Sequence, residues 1–310
     1  MKAWQFTTTH EPLREVELAD PTPGAGQVVI DVKAAGICHS DVGIFEDEKW
    51  LDMMTPPIVP GHESAGVIVA TGEGVTDFEV GDRVAVWPME GHGYTQNGGF
   101  GEKVLAATDV LVRIPDNVSF ELAAAATDAG MTSHGAVMGT GQVTAGDRVG
   151  IIGFGGLGQI GARVAVLNGA EVYVAEVNEE IWPRIIEAGA QAVAKDISEF
   201  ADKDLSVIVD FAGFGATTAH ALETVGFGGR VVQVGMGRLE ATINTYPLIT
   251  KRLQLLGNVG GTKEDIEGVL HWMSTGDLLP AVERTDFAGI PGGIKRLADG
   301  EVRGRLVALY

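Results

Sequence analysis

The sequence predicts an α/β protein in which a β-rich domain is joined to a doubly wound parallel sheet. Residues 1 to about 125 contain short β-branched runs separated by Gly, Pro and Asp turns, a pattern typical of a partly closed antiparallel barrel. From Glu121 onward, short apolar strands alternate with segments of helical composition, as in βαβ units. Because the 310 residues exceed the ~250–300 at which one hydrophobic core usually stops growing, we expect two domains.

The β-rich domain is expected to comprise residues 1–128. Its strand candidates are Val28–Ala35, Gly66–Ala70 and Arg83–Trp87. Turns such as Pro21–Gly24 and Gly81–Asp82 separate them. Regular short strands without long helices favour a barrel-like sheet over a helical domain.

The parallel sheet is expected over residues 129–264, and residues 265–310 are expected to return to the β-rich domain. The predicted strands of the sheet are Arg148–Ile152, Glu171–Ala175, Gln191–Ala194, Leu205–Asp210, Arg230–Val234 and Leu253–Gly257. Helical composition is found near 123–138, 157–168, 179–188 and 216–225. The final stretch adds a predicted helix, Lys263–Thr275, and a terminal strand, Arg305–Leu309.

The acidic composition argues against two classes of partner. The chain has 42 acidic and 22 basic residues, a formal charge of −20 and a sequence pI near 4.6. Phosphate backbones and anionic membrane surfaces would be repelled, so we expect no nucleic-acid or membrane partner. The polar residues 1–10, the lack of an apolar run near the ~18 residues that span a bilayer, and the single cysteine, Cys38, predict a cytoplasmic protein.

A glycine-rich turn follows the first predicted strand of the parallel sheet. It has G-x-G-x-x-G spacing and leads into a predicted helix, whose N-terminus favours bound phosphates. The first glycine permits the tight turn, the second lets the backbone approach a pyrophosphate, and the third lets helix and strand pack closely. The predicted dinucleotide contacts are Gly153, Gly155, Gly156, Leu157 and Gly158. A glycine-rich turn without a ligand is the alternative.

An acidic residue ends the next predicted strand. Glu176 lies 18 residues beyond Gly158, close to the ~20 at which a carboxylate binds the ribose hydroxyls of NAD. Val177 and Asn178 follow, so this turn offers no arginine for the 2′-phosphate of NADP, which the carboxylate would also repel. The sequence therefore favours NAD.

Three side chains of the first predicted domain form a plausible ligand set for Zn²⁺. Cys38, His62 and Asp128 would supply a thiolate, an imidazole and a carboxylate, and three protein ligands leave a position for substrate. Spacing alone leaves other roles open. A lone cysteine is usually a small buried apolar residue, a lone histidine is usually structural, and Asp128 could cap a helix beginning at Ala129.

The segment Gly61-His-Glu-Ser-Ala-Gly66, with Gly72 and Val75, resembles the zinc signature of the zinc-containing alcohol dehydrogenases, within the medium-chain dehydrogenase/reductase superfamily. The similarity covers nearly the whole chain. Further matching segments are Ala35–Asp41, Gly81–Val84, the glycine-rich turn, Gly228–Val231 and Gly304–Val307. The resemblance implies a GroES-like catalytic domain, a Rossmann domain, and hydride transfer between NAD and an alcohol or carbonyl compound.

The resemblance also implies roles for residues around the metal. Cys38 and His62 would be zinc ligands, and Glu63 a neighbouring carboxylate that can approach the metal. Ser40 would receive the substrate proton. Asp41 would orient the imidazole of His62.

For the cofactor, the resemblance places His39 against the pyrophosphate and Arg305 at a similar cofactor-facing position. Phe211 and the turn containing Val234 and Met236 match segments that flank the nicotinamide. The chain would act on a small-molecule substrate, and we expect a homo-oligomer, either a dimer or a tetramer.

Three departures from the family pattern matter. Asp128 stands where most relatives have a second cysteine ligand. The four-cysteine lobe that holds a structural zinc in many relatives is replaced by the cysteine-free segment 88–97, so we expect one zinc ion. Gly43 occupies the position of a histidine that relays protons to solvent, for which His92 is a weak substitute candidate.

Two rival functions remain open at this stage. One is a metal-free NADPH-dependent quinone or enone reductase of the same superfamily. Against it stand Cys38, His62 and Glu63, which such an enzyme would not need. The other is a nonenzymatic NAD-binding protein, which would leave the candidate metal ligands unexplained.

Overall fold

The computed structural model describes residues 1–310 and contains fifteen β-strands and nine α-helices. In chain order, the strands are β1 (Lys2–Gln5), β2 (Arg14–Glu17), β3 (Gln27–Ile37), β4 (Glu63–Thr71), β5 (Arg83–Val86), β6 (Lys103–Ala107), β7 (Leu111–Arg113), β8 (Arg148–Ile152), β9 (Glu171–Ala175), β10 (Ala192–Ala194), β11 (Val207–Asp210), β12 (Arg230–Gln233), β13 (Gln254–Gly257), β14 (Val282–Asp286) and β15 (Arg305–Leu309).

The helical segments are of three kinds, α, π and 3-10. In chain order, the α-helices are α1 (His39–Glu46), α2 (Phe120–Ala125), α3 (Met131–His134), α4 (Gly158–Leu167), α5 (Trp182–Glu187), α6 (Ala216–Thr224), α7 (Thr245–Thr250), α8 (Lys263–Thr275) and α9 (Ile290–Ala298). The two π-helical segments are Ala126–Gly130 and Gly135–Thr140. The 3-10 segments are Glu48–Met53, Pro88–Glu90, Thr108–Val110, Glu179–Ile181 and Ile197–Lys203.

The chain divides into two units, the first formed by Met1–Ala129 with Ile266–Tyr310 and the second by Gly130–Asp265. The first unit contains a seven-stranded sheet in the order β14-β15-β3-β4-β5-β7, with β6 also paired to β3. All pairings of β3 are antiparallel, and register shifts bend the strand between Val29 and Ile30 and between Val32 and Ala34. The β-rich character expected from the sequence is confirmed.

Strand β3 organises the first unit because both of its edges are paired along its length. Its N-terminal half pairs with β6, and its C-terminal half pairs with β15, so that Ile37 lies opposite Leu306. On one side Ile30 packs with Ile68 and Val84 in a buried apolar cluster. The strand ends at Ile37, and this buried scaffold fixes the position of Cys38 that follows.

The second unit contains a six-stranded parallel sheet in the order β10-β9-β8-β11-β12-β13. The chain first builds outward from β8 through β9 to β10 and then returns to build from β11 to β13, so the strand order reverses between β8 and β11. In such sheets ligands bind beyond the carboxyl ends of the strands at this reversal point. The glycine-rich turn follows β8 at that point. The doubly wound α/β class predicted from the sequence is confirmed.

The predicted helical stretch 123–138 is more complex in the structure. It runs from Phe120 to Thr140 as two α-helical turns interleaved with the two π-helical segments. The predicted helix near 179–188 begins as a 3-10 turn and becomes α-helical only at Trp182, with Pro183 in its first turn. The helices α1, α7 and α9 were not anticipated.

The longest helix, α8, has 13 residues. No helix combines the length and the apolar character that crossing a membrane requires.

Candidate metal and cofactor sites

Cys38 lies at the junction where β3 ends and α1 begins. It is the N-cap residue of α1, and its backbone N–H donates to Asp41 Oδ2 at 2.8 Å. Asp41 is buried, and its charge lies in the first turn of the helix, where the helix dipole stabilises a carboxylate. The start of α1 therefore holds the Cys38 backbone in a defined orientation.

His62 enters the same region from the chain segment just before β4. Its side chain is 5% exposed, and its Nδ1 lies 3.7 Å from Asp41 Oδ1. This separation is too long for a hydrogen bond. The Asp41 carboxylate, expected to orient the His62 imidazole, therefore acts on it through charge alone in this structure. The imidazole also stacks on Tyr94, with ring centroids 5.3 Å apart and an interplanar angle of 29°.

Asp128 lies within the π-helical segment Ala126–Gly130. The helical stretch around it begins eight residues earlier, where Ser119 Oγ accepts from Leu122 N–H as the N-cap of α2. The alternative role of Asp128 as the cap of a helix beginning at Ala129 is therefore wrong, because no helix begins there. A π turn widens the helix locally and is common at functional sites. Here it carries a carboxylate toward the two other candidate ligands.

The three candidate metal ligands converge. The donor atoms of Cys38, His62 and Asp128 all lie within 4.8 Å of one another. Asp128 Oδ2 lies 3.4 Å from His62 Nε2 and 3.4 Å from Cys38 Sγ. A tetrahedral zinc ion with ordinary bond lengths separates N from O by about 3.4 Å and S from O by about 3.6 Å. The donor types fit zinc, and the two separations that involve Asp128 are close to those of a tetrahedral site.

Glu63 lies behind this cluster in a wholly buried environment. Its carboxylate is 0% exposed and is bonded through both oxygens to the guanidinium of Arg305, with Arg305 Nε to Oε2 at 3.0 Å. Oε1 also accepts the backbone N–H of Ala129 at 3.2 Å. Arg305 Nη2 reaches Asp128 Oδ2 at 3.3 Å. The guanidinium thus links Glu63 to a candidate ligand.

The structure places Arg305 against two buried carboxylates. The side chain is only 3% exposed, and its guanidinium is used by two carboxylates of the first unit. A cofactor contact by this residue remains a prediction. Sequence inspection missed the pairing because the partners are 242 positions apart, and no local pattern marks it.

The electrostatics of the cluster follow from burial and close opposite charges. Burial lowers the pKa of His62, but Tyr94, Asp41 and Asp128 raise it, and the balance lies well above its ordinary value. Burial raises the pKa of Asp128, but His62 and Arg305 lower it by more. The net pKa lies well below its ordinary value, so the carboxylate is ionised. Burial also raises the pKa of Glu63, against the opposing charge of Arg305. Metal binding at His62 would therefore release a proton.

Ser40 lies in the first turn of α1, two residues after Cys38. Its Oγ accepts a hydrogen bond from the Tyr94 hydroxyl at 3.3 Å. Burial raises the pKa of Tyr94 to about 12, so its phenol is protonated at neutral pH. His39, between Cys38 and Ser40, is exposed and near the charge of Arg305. Tyr94 was not singled out from the sequence, because a single tyrosine in a loop has no distinguishing spacing.

Neither histidine position considered for proton relay can serve that role in the structure. A Cβ at Gly43 would lie 2.6 Å from Trp50 Nε1, so the indole fills the space that a side chain at residue 43 would need. His92 is buried, and its Nε2 lies 3.1 Å from the Leu105 carbonyl oxygen. The weak substitute candidate is therefore a buried structural histidine.

The glycine-rich turn of the second unit has the backbone that dinucleotide binding requires. Gly153 has φ +83°, a conformation that favours glycine. A Cβ at Gly158 would collide with the Gly153 carbonyl oxygen, so the third glycine is required for helix and strand to pack. A Cβ at Gly155 would meet nothing within 4 Å. Contacts inside the chain do not explain Gly155, whereas a close-lying pyrophosphate would.

Glu176 follows β9 at the edge of this turn. Its Oε2 accepts the Phe154 N–H and its Oε1 accepts the Asn178 N–H, both at 2.8 Å. The carboxylate is thereby fixed beside the glycine-rich turn, at the carboxyl ends of the strands. Trp182 Nε1 donates to the Glu176 carbonyl oxygen at 2.9 Å and fixes the backbone as well.

The residues predicted to flank the nicotinamide occupy two turns of the second unit. Phe211, directly after β11, packs its ring against α4: a Cβ at Gly161 would lie 2.5 Å from Phe211 Cζ. Val234 is half-buried after β12, and Met236 is 60% exposed. The Phe211 ring thus packs on α4 while the residue stays half-buried, and its contact with a nicotinamide remains a prediction.

Comparison with known proteins supports what the two folds and the clustered ligands indicate. Residues 24–116 match the alcohol dehydrogenase GroES-like domain, and residues 156–275 match the zinc-binding dehydrogenase domain. An alcohol dehydrogenase of Geobacillus stearothermophilus is 31% identical, with 99% of each chain covered. An NADP-dependent alcohol dehydrogenase C of Mycobacterium bovis is 28% identical, covering 98% of this chain and 97% of its own.

A solved structure agrees over the full length. The acetophenone reductase of Geotrichum candidum, in complex with NAD, is 26% identical and superposes with a TM-score of 0.91, covering 100% of this chain and 97% of its own. A GroES-like domain joined to a Rossmann domain defines the fold class. The chain belongs to the alcohol dehydrogenase family of the medium-chain dehydrogenase/reductase superfamily.

Proposed function

We propose that this oxidoreductase is a zinc-dependent alcohol dehydrogenase that transfers a hydride between NAD and an alcohol, aldehyde or ketone. The observation that carries the proposal is the convergence of Cys38, His62 and Asp128, with Asp128 at distances from the other two that suit tetrahedral zinc. When bound, the zinc supplies a Lewis acid for the substrate oxygen, and the nicotinamide carries the hydride.

The residues of the chain would then divide the remaining work. The Ser40 hydroxyl, close to the start of α1, accepts the alcohol proton during oxidation and returns it during reduction. Asp41 holds the Cys38 backbone and lies beside His62, which keeps both ligands in place. The Arg305 guanidinium, held by Glu63, lies beside the negative charge of Asp128 and partly offsets it.

NAD is proposed over NADP because of Glu176. A fixed carboxylate beside the glycine-rich turn suits the ribose hydroxyls of NAD and repels a 2′-phosphate. The relative in Mycobacterium bovis is NADP-dependent, so the choice must be measured for this chain. His39, exposed at the start of α1, is the proposed contact of this unit with the pyrophosphate.

A homo-oligomer is proposed on the second unit. Strand β13 is the last strand of the parallel sheet, so one of its edges offers unpaired backbone groups. Apolar side chains of β13 and of the chain segments just before and after it are exposed, including Leu255, Val259, Tyr246 and Ile249. Exposed strand edges with apolar neighbours are prone to pairing with another chain. A dimer or tetramer of this chain would cover this surface.

The metal-free NADPH reductase and the nonenzymatic NAD-binding protein are the rival functions. Elemental analysis of purified protein should give one zinc per chain, because the chain offers a single ligand cluster and no four-cysteine lobe. Full activity without metal would favour the reductase, and two zinc ions per chain would contradict the single-site assignment.

The cofactor experiment uses a panel of alcohols and ketones with NAD(H) and NADP(H). We expect a higher kcat/KM with NAD, and we expect Glu176→Ala to lower NAD use and to improve NADP use. Glu180→Ala, which removes an exposed carboxylate nearby, is the matched control and should leave the preference unchanged. A wild-type preference for NADP would overturn the assignment. Failure of every substrate would favour the nonenzymatic protein.

A further inference from the structure

The Tyr94 side chain contacts two residues of the candidate site in the first unit. Its hydroxyl donates to Ser40 Oγ at 3.3 Å, and its ring stacks on His62 with centroids 5.3 Å apart. The first contact reaches the proposed proton acceptor. The second reaches a proposed zinc ligand.

The loop that carries Tyr94 is rigidly held. Three backbone N–H groups, those of Tyr94, Thr95 and Gln96, donate to the Gly91 carbonyl oxygen, and Thr55 N–H donates to the Tyr94 carbonyl oxygen at 3.0 Å. Gly93 lies against the backbone of the ligand segment, where a Cβ would be 2.8 Å from His62 N. The tyrosine is therefore presented from a fixed backbone that is itself packed on the His62 segment.

Chemistry explains why both contacts matter. The hydrogen bond from Tyr94 occupies one lone pair of the Ser40 oxygen and so limits how the hydroxyl can turn. The other lone pair and the hydroxyl hydrogen are left for a substrate oxygen. A ring stacked on an imidazole limits its rotation and so fixes where Nε2 points. The segment 88–97 lacks the cysteines of the family's lobe, yet it supplies this tyrosine to the site.

We propose that Tyr94 is a positioning residue that orients the Ser40 hydroxyl through its own hydroxyl and the His62 imidazole through its ring. This inference rests on the proposed dehydrogenase function and assigns to the shortened loop a role in the reaction. The two contacts are separable, because phenylalanine retains the ring and removes only the hydroxyl.

The test of the hydroxyl is a double-mutant cycle. Tyr94→Phe should lower kcat about 3- to 10-fold, the effect of losing one neutral hydrogen bond, with zinc content and the KM for NAD unchanged. In a Ser40→Ala background, Tyr94→Phe should have no further effect on kcat, because the group through which it acts is gone. Ser198→Ala, which removes an exposed hydroxyl of the second unit, is the control and should behave as wild type.

The test of the ring is spectroscopic and does not need turnover. The cobalt-substituted protein should show the same visible absorption bands in wild type and Tyr94→Phe, and shifted or weakened bands in Tyr94→Leu. Unchanged bands in Tyr94→Leu would overturn the ring's role. Unchanged kcat in Tyr94→Phe, or an equal loss in the Ser40→Ala background, would overturn the hydroxyl's role. A wild-type protein without dehydrogenase activity would instead defeat the proposed function, and the cobalt spectra would still report on the ring.

Discussion

The guanidinium of Arg305 is bonded to both carboxylate oxygens of Glu63, although 242 positions separate the two residues. Both side chains are almost fully buried, and the same guanidinium reaches Asp128. A buried pair of this kind contributes little net stability compared with apolar residues of similar size. Removing one partner, however, leaves an uncompensated buried charge.

Arg305→Met should therefore destabilise the protein by about 3–5 kcal/mol, since Glu63 and Asp128 lose their counter-charge. Equilibrium urea unfolding measures the change. The double variant Glu63→Met with Arg305→Met should recover part of the loss. The control is Arg14→Met, which removes a surface ion pair with Glu11 and should cost less than about 1 kcal/mol. Equal losses in Arg305→Met and Arg14→Met would contradict a buried, charge-balancing role.

Asp128→Asn is expected to weaken zinc binding by at least ~10–100-fold, because the amide removes an anionic oxygen from the ligand cluster. Turnover should fall with it. Asp128→Cys should keep zinc bound, since thiolate is also a zinc ligand. Zinc content and affinity are measured by competition with a chelator. Asp202→Asn, at an exposed carboxylate of the second unit, is the control. Full occupancy and unchanged rate in Asp128→Asn would remove Asp128 from the ligand set.

Gly43→His should fail to install a proton relay, because Trp50 occupies the space beside residue 43. We expect the single variant to lose about 1–3 kcal/mol from overpacking. The double variant Gly43→His with Trp50→Gly provides room for the imidazole. Its loss in free energy of unfolding should be smaller than the sum of the losses of the two single variants. Thermal or urea unfolding of the four proteins gives the coupling free energy. Strictly additive losses would mean that the two positions do not compete for space.

Asp265 supplies a pH-dependent contribution to the stability of the second unit. Its Oδ1 lies 2.6 Å from His134 Nδ1, and its Oδ2 accepts the Thr262 N–H at 2.7 Å. Burial raises the pKa of Asp265, but these partners outweigh it and the net pKa is lowered. A carboxylate whose pKa is lowered by folding stabilises the protein above the unfolded pKa near 3.9, and this stabilisation is lost as the pH falls through the folded pKa.

Asp265→Asn should accordingly cost about 1–3 kcal/mol at pH 7, and the difference from wild type should shrink toward zero below about pH 3.9. Urea unfolding at a series of pH values between 7 and 3 follows the difference. Asp202→Asn serves again as the exposed control and should show a small effect at every pH. A stability difference between wild type and Asp265→Asn that grows as the pH falls would contradict a folded-state pKa lowered at Asp265.

The sequence predicted the parallel sheet well because each strand is a short apolar run next to a turn. All six strands, including the short β10, and the helix Lys263–Thr275 were anticipated from local pattern. Local pattern could not show that residues 120–140 alternate between α and π geometry, since the two differ by only one residue in the span of each hydrogen bond.

The candidate ligands could be named from the sequence, but their environment could not. Cys38, His62 and Asp128 stood out by residue type and by resemblance, whereas Tyr94 and the Glu63–Arg305 pair depend on contacts between distant segments. The filling of the Gly43 site by Trp50 is of the same kind, because the indole reaches it through the fold of the intervening 3-10 turn. Such contacts are set by tertiary packing and have no local signature.

The position of β15 against β3 has a consequence for the order in which the protein is made. Residues 38, 62 and 128 leave the ribosome well before residues 305–309, and synthesis proceeds N-terminal first at ~5–20 residues per second. The second unit, residues 130–265, is contiguous and can fold in that interval. The first unit cannot, because the strand that pairs with the end of β3 and the arginine that neutralises Glu63 are not yet present. The candidate site of the first unit is therefore completed last, after the strand that carries Arg305 has been made.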